Sequence, residues 1–224
     1  MMDISALLGV ERGVTALIGG GGKTTLMYTL AEELRRHGTV IVTTSTHIQR
    51  PEQYPVLTAA DDAAVAAALA EHGAVCVAGE TAEGKLCAPA LSFETLAALA
   101  DFVLVEADGS RRLPLKAHAP HEPVIPPNAR RTVYVVGADG FGHPIRQVCH
   151  RPERYAALCG AAEDNIVTPA LEARVLHAEG YADGWVFINK VETAEDWRSA
   201  EALAALLPGK VLAGSLRERV YRGL

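Results

Sequence analysis

The sequence predicts an α/β fold of three layers, with a mostly parallel central sheet wrapped by helices. Three observations carry this expectation. Short β-branched runs alternate with longer Ala- and Leu-rich stretches along the chain. Four consecutive glycines, Gly19 to Gly22, separate the first apolar run from the first helical one. The composition, 49% hydrophobic and 21% charged over 224 residues, belongs to a chain that buries a core rather than to one that stays unfolded.

The elements follow in order. Val14–Ile18 reads as the first strand. After the glycines, Leu26, Leu30 and Leu34 recur every fourth residue with charges elsewhere on the cylinder, which predicts a helix stopped near Gly38. Further strands are expected at Val40–Thr43, Val75–Ala78, Phe102–Glu106, Thr132–Val136, Trp185–Asn189 and Lys210–Ala213. Helices are expected at Asp61–Glu71, Phe93–Ala100, Pro152–Leu158, Pro169–Ala178 and Ala194–Leu207, the last two opening on Thr168 and Thr193 as N-caps. Residues 109–131 break the rhythm: five prolines and no clear period predict a long functional loop inside one domain spanning 1–224.

Composition also excludes classes. A net charge of −6 and 5% aromatic residues argue against a nucleic-acid binder with a basic, ring-bearing face. Cys76, Cys87, Cys149 and Cys159 lie far apart without a C-x-x-C pair, so neither a zinc ribbon nor a disulfide framework is expected. None sits in a motif that lowers a thiol pKa, so all four read as structural. No segment has the basic start and apolar run of a signal peptide, and none approaches the roughly 18 apolar residues of a membrane span. A cytoplasmic protein without a membrane partner is the expectation.

The glycine run carries the first chemistry. A strand, then Gly19-Gly20-Gly21-Gly22-Lys23-Thr24-Thr25, then a helix, is the arrangement of a phosphate loop. Backbone N–H groups converge there without Cβ obstruction, and the helix N-terminus favours negative charge. Gly19, Gly20, Gly21, Gly22, Lys23, Thr24 and Thr25 are therefore candidate nucleotide-binding residues, with Thr24 on Mg²⁺. Leu17 stands where the longer G-x-x-x-x-G-K-[ST] form has glycine. The shortened loop resembles that of Mur-ligase-type ATP-binding domains, and the fold expected is P-loop NTPase-like.

Three further segments sit at the ends of predicted strands. Asp101–Gly109 delivers Glu106 and Asp108, where P-loop proteins hold the acid that orients Mg²⁺ or a water. Its Glu-x-x-Gly spacing resembles the Asp-x-x-Gly element of GTPases. Asn189-Lys190-Val191-Glu192 resembles their guanine-reading Asn-Lys-x-Asp, with Glu for Asp, so ATP and GTP both stay open. Thr43–His47 brings hydroxyls and an imidazole, among them Thr46 and His47, within reach of a γ-phosphate, Mg²⁺ or a second substrate.

The long loop is basic. Arg111, Arg112, Lys116, Arg130 and Arg131 stand against one acid, Glu122, a net charge of +4. Guanidinium groups grip phosphate oxygens, so an anionic small-molecule second substrate is expected there. His121 and Glu122 add a candidate proton-transfer pair or metal ligands. The catalytic candidates are thus Lys23, Glu106, Asp108, Arg111, Arg112, Lys116 and His121, with Thr24 and Glu106 as the metal pair and Asp108 orienting the nucleophile.

The combination of Gly19–Thr25, Thr43–His47, Glu106–Lys116, His121–Pro126, Gly137–Pro144, His150–Arg154 and Asn189–Glu192 resembles the YqeC family. The resemblance implies an accessory protein of selenium-dependent molybdenum hydroxylases or of selenium-cofactor biosynthesis, with a client hydroxylase as a partner. His118 is not expected in the family's form of the block, and no role is assigned to it. Three functions remain open: ATP or GTP hydrolysis or phosphoryl transfer, a GTPase-like maturation chaperone, and a non-catalytic binder of a phosphorylated cofactor.

Overall fold

The computed structural model of the chain describes residues 3–224. Among these the order is α1 (Ile4–Leu7), β1 (Gly13–Gly19), α2 (Lys23–Leu34), β2 (Val40–Thr44), β3 (His47–Ile48), β4 (Val56–Thr58), α3 (Asp62–His72), β5 (Ala74–Glu80), β6 (Leu86–Cys87), α4 (Phe93–Leu99) and β7 (Phe102–Glu106). It continues with β8 (Leu115–Lys116), β9 (Ala129–Gly137), α5 (Ile145–Val148), β10 (Cys149–His150), α6 (Pro152–Cys159), α7 (Pro169–Ala178), β11 (Trp185–Asn189), α8 (Ala194–Ala204), β12 (Lys210–Ser215) and β13 (Val220–Gly223).

Most strands join one sheet in the order β13-β12-β11-β9-β1-β7-β2-β5-β6-β3, with β4 beside β5. From β12 to β5 every pairing is parallel, and the antiparallel strands β13, β6 and β3 lie at the two edges. Strands buried on both faces read as continuous apolar runs, and β1 does so because its alternate residues serve different layers. Leu17 packs with Ile4, Leu8, Leu26 and Leu30 under α1 and α2. Ala16 and Ile18 meet Tyr155, Leu176 and Leu203 from α6, α7 and α8. Val14 meets Val65, Leu69 and Leu96 from α3 and α4.

The expected strands are all present: Phe102–Glu106 and Trp185–Asn189 have the expected ends, and no end of the others moves by more than three residues. Gly38 does not cap α2, which ends at Leu34. A Cβ on Gly38 would lie 2.3 Å from Asp101 Oδ2, so glycine is required there by close approach. Asp61 is the N-cap of α3 rather than its first residue, its side chain accepting from the Ala64 N–H. The caps at Thr168 and Thr193 form, the latter as a full capping box with Asp196.

The segment 109–131 is irregular over most of its length, yet its middle is not loose. Pro114 to His118 are buried, and β8 pairs in parallel with β10. Its last three residues already belong to β9. Arg131 there stacks over the Trp185 ring at 4.5 Å, and Arg130 lies against Gly13. Arg130 and Arg131 thus stand at the amino ends of the strands, and the expected single basic site divides.

Candidate functional site

The carboxyl ends of β1, β2, β7, β9 and β11 converge where open α/β sheets bind ligands. A cleft of about 690 Å³ opens there, lined by Gly22, Lys23, Thr24 and Thr25 on one side and by Gly109, Ser110, Arg111 and Arg112 on another. His47, Lys85, Glu106 and Lys190 complete its polar wall.

The four glycines do different work. Gly19, Gly21 and Gly22 have φ of 95°, 65° and 107°, the left-handed region that glycine enters freely. A Cβ on Gly20 would lie 2.3 Å from the Pro114 carbonyl, and one on Gly21 2.3 Å from the Gly137 nitrogen. The expectation that all four cradle phosphate is corrected by their hydrogen bonds. Gly19 N–H donates to Asp108 Oδ2 at 2.7 Å, Gly20 N–H to the Val135 carbonyl at 2.9 Å, and Gly21 N–H weakly to the Leu113 carbonyl. Gly19, Gly20 and Gly21 are buried and serve to fit the loop between its walls. Among the described residues the amides of Gly22, Lys23, Thr24 and Thr25 donate to no acceptor in the chain, and these four residues line the cleft. They form the first turn of α2, which contains no acidic residue, so donors and helix dipole both favour an anion.

Beneath them lies a buried charge network. Lys23 Nζ donates to the Gly19 carbonyl at 2.7 Å and sits 2.9 Å from Asp108 Oδ1 and 3.9 Å from Glu106 Oε1. Asp108 is wholly buried and also meets Lys116 Nζ at 3.2 Å and His118 Nε2 at 2.6 Å. The expected role of Asp108 in orienting a nucleophile is corrected accordingly: its carboxylate does not line the cleft, and its partners are Gly19, Lys23, Lys116 and His118. Burial alone would raise its pKa. Lys23, the His118 bond and Lys116 outweigh burial and hold the carboxyl well below the ordinary range.

Lys116 is corrected in the same way. It is wholly buried, bonded to the Gly109 carbonyl at 2.7 Å and to Glu122 at 2.9 Å, and does not line the cleft. Glu122 in turn holds Arg151 at 2.8 Å. His118, to which the sequence reading gave no role, is the centre of the network, its Nδ1 lying 2.6 Å from Glu179 Oε2. Burial lowers the His118 pKa, and the two carboxylates more than reverse this. Glu106 differs. Burial pushes its carboxyl above the usual range, against the opposing pull of Lys23 and of the Thr24 hydroxyl, which donates to Oε2 at 2.6 Å.

A hydroxyl and a carboxylate in contact at a cleft wall are a hard-oxygen donor set that fits Mg²⁺. The structure brings Thr24 and Glu106, the two residues expected on Mg²⁺, into direct contact. Arg111 and Arg112 also reach the cleft, at φ of 50° and 63°. Such left-handed backbone at two successive arginines is strain that the buried residues following them must hold in place.

The Asn189–Glu192 segment is only partly as expected. Asn189 is buried; its Nδ2 donates to the Gly21 carbonyl at 2.7 Å and its Oδ1 accepts from Leu216 N–H. It braces the glycine loop. Lys190 lines the cleft and pairs with Asp139 at 2.6 Å. Glu192 is corrected: it accepts from Ser215 Oγ at 2.9 Å, meets Arg217 at 3.2 Å, and does not line the cleft, so it is not placed to read a base.

Thr46 and His121 line a neighbouring cavity, and His47 lines both. Three contributors were missed. Lys85 enters from a hairpin turn, where no pattern marks it. Glu179 and His118 meet across 61 residues of sequence, and only the topology brings them together.

A family model described as YqeC protein matches residues 15–153. A protein of Escherichia coli (strain K12) carrying the name "Uncharacterized protein YqeC" is 34% identical over 196 residues, covering 80% of this chain and 76% of that one. Among solved structures, the signal recognition particle 54 kDa protein from Aeropyrum pernix K1, in complex with GDP, aligns with a TM-score of 0.40 and 15% identity. That alignment covers 96% of this chain, which spans 44% of the other's length.

Proposed function

The chain belongs to the YqeC family, and on that premise we propose that it binds ATP or GTP with Mg²⁺ and hydrolyses the nucleotide or transfers its terminal phosphoryl group. The observation that carries this reading is the first turn of α2: four cleft-lining residues whose amides have no acceptor in the chain, beside Lys23 and the Thr24–Glu106 pair. The finer role that the family resemblance implies, in maturing a selenium-dependent molybdenum hydroxylase, belongs to the same proposal.

In phosphoryl transfer the protein chiefly positions groups and offsets charge. The amides of Gly22 to Thr25 hold the phosphate oxygens, and Lys23 is presented to them from its seat on Asp108. Thr24 and Glu106 would hold Mg²⁺, which when bound neutralises phosphate charge. Arg111, Arg112 and Lys85, from two different loops, line the same cleft and would offset the charge that develops on the terminal phosphate.

Binding of ATP and of GTP, with and without Mg²⁺, tests the reading. Wild type binds at least one of them more tightly with Mg²⁺, Lys23→Ala loses that binding, and Thr24→Val loses the Mg²⁺ enhancement. Because Lys23→Ala leaves Asp108 short of a cation, Arg112→Ala serves as the variant that keeps the network intact. A wild-type protein that binds neither nucleotide at millimolar concentration overturns the proposal.

A further inference from the structure

A second cavity of about 440 Å³ opens beside the phosphate cleft, with Thr46, His47, Cys87, His121 and Val124 among its walls. Short bonds fix it in place. Ser45 Oγ donates to the Val124 carbonyl at 2.6 Å, Val124 N–H to the Ala107 carbonyl at 2.9 Å, and Ser45 N–H to the Glu106 carbonyl at 3.2 Å. Both loops around the cavity are thus tied to the end of β7, the strand that delivers Glu106 to the cleft. His47 belongs to both walls and stands opposite Cys87 in the antiparallel β3–β6 pair.

The two cavities differ in charge. Lys23, Lys85, Arg111, Arg112 and Lys190 line the phosphate cleft, whereas among the described residues no lysine or arginine lines the second cavity. Its one carboxylate, Glu122, is already bound by Lys116 and Arg151. A polyanion entering it would give up its hydration and meet no lysine or arginine side chain on the wall. A neutral molecule finds two imidazoles and the Thr46 hydroxyl for its polar end, and Ala88 and Val124 for its apolar one. The volume is in the range of small-molecule sites.

We propose that this cavity is the acceptor subsite of the phosphoryl transfer described above and takes a compact, uncharged molecule bearing a hydroxyl group. The inference rests on the nucleotide reading of the cleft. In the step, the acceptor oxygen bonds to the terminal phosphorus as the bond from that phosphorus to the bridging oxygen breaks. The electron pair leaves with the nucleoside diphosphate, and the hydroxyl proton passes to the imidazole of His47, the residue that both walls share. The anionic second substrate expected from the basic segment is replaced here, because Arg111 and Arg112 line the phosphate cleft and not this cavity.

The test is ¹⁹F NMR with 4-fluorobenzyl alcohol as the neutral probe and 4-fluorobenzyl phosphate as its anionic counterpart. Both are added to protein saturated with a non-hydrolysable ATP or GTP analogue. The expected result is broadening of the alcohol signal by wild type, its loss in Val124→Trp, which fills the cavity, and at least a threefold weaker effect in His121→Ala. The phosphate signal stays sharp, and nucleotide affinity of Val124→Trp stays within twofold of wild type. With hydrolysable nucleotide, ³¹P NMR detects the phosphorylated alcohol, and His47→Ala slows its formation by about a hundredfold. Alcohol binding that survives Val124→Trp, preference for the phosphate, or no alcohol binding by nucleotide-loaded wild type overturns the subsite. Failure of wild type to bind nucleotide in the same samples overturns the underlying reading instead.

Discussion

The floor of the cleft and its rim both carry charge, and they treat it in opposite ways. On the floor, Lys23, Lys116, Arg151 and the His118 ring face the carboxyl groups of Glu106, Asp108, Glu122 and Glu179, so each basic group there has an acidic partner inside the protein. On the rim, Lys85, Arg111 and Arg112 have no carboxylate within 4 Å among the described residues. Buried charge must be matched inside the protein because water cannot stabilise it, whereas exposed charge remains available to a ligand. The floor is therefore built for stability and placement of Lys23, and the rim for binding.

Substitutions break the contrast in order of size. Asp108→Asn removes the anion that Lys23, Lys116 and His118 share, and a loss of about 3–5 kcal/mol is expected in urea unfolding. An unchanged midpoint would mean that the floor is not a coupled network. Gly20→Ala, whose Cβ meets the Pro114 carbonyl, is expected to cost roughly 1–3 kcal/mol and to weaken nucleotide binding by displacing the loop. On the rim, Arg111→Ala and Arg112→Ala are each expected to weaken nucleotide binding by about tenfold while shifting stability by less than about 0.5 kcal/mol. Isothermal calorimetry beside denaturation separates the two effects.

A pH series sharpens the contrast further. The folded pKa of His118 is raised above its ordinary 6.5, so its contribution is fully present below that value and fades as pH rises through the folded value. Stability of wild type should fall across that window, and His118→Gln should flatten the slope. Smallest of all, Lys190→Ala breaks an exposed pair with Asp139 and should change stability by less than about 1 kcal/mol.

Much of this was legible in the sequence. The seven long strands announced themselves as apolar runs, and Lys23, Thr24, Glu106, Arg111 and Arg112 were found at the cleft because motif spacing fixes them relative to a strand end or a helix start. The short edge strands β3, β4 and β6, of two or three residues, are too brief for any period to register. The direction in which a side chain points was the weaker inference. Asp108, Lys116 and Glu192 lie where the motifs put their backbones, but each is claimed by a protein partner that sequence spacing does not reveal. His118 illustrates the same limit from the other side: it departs from the expected form of its block, and its importance comes from Glu179, far along the chain.

The walls of the glycine loop also set the order in which the protein can mature on the ribosome. Gly19 and Gly20 are fitted against Val135 and Pro114, and β1 lies between β7 and β9, whose residues are synthesised long after it. At about 5–20 residues per second, roughly ten seconds separate the emergence of the loop from that of its walls. A nascent chain thus carries its glycine loop unshaped until Pro114 and Val135 have been made, and the loop takes its final form late, together with the central sheet.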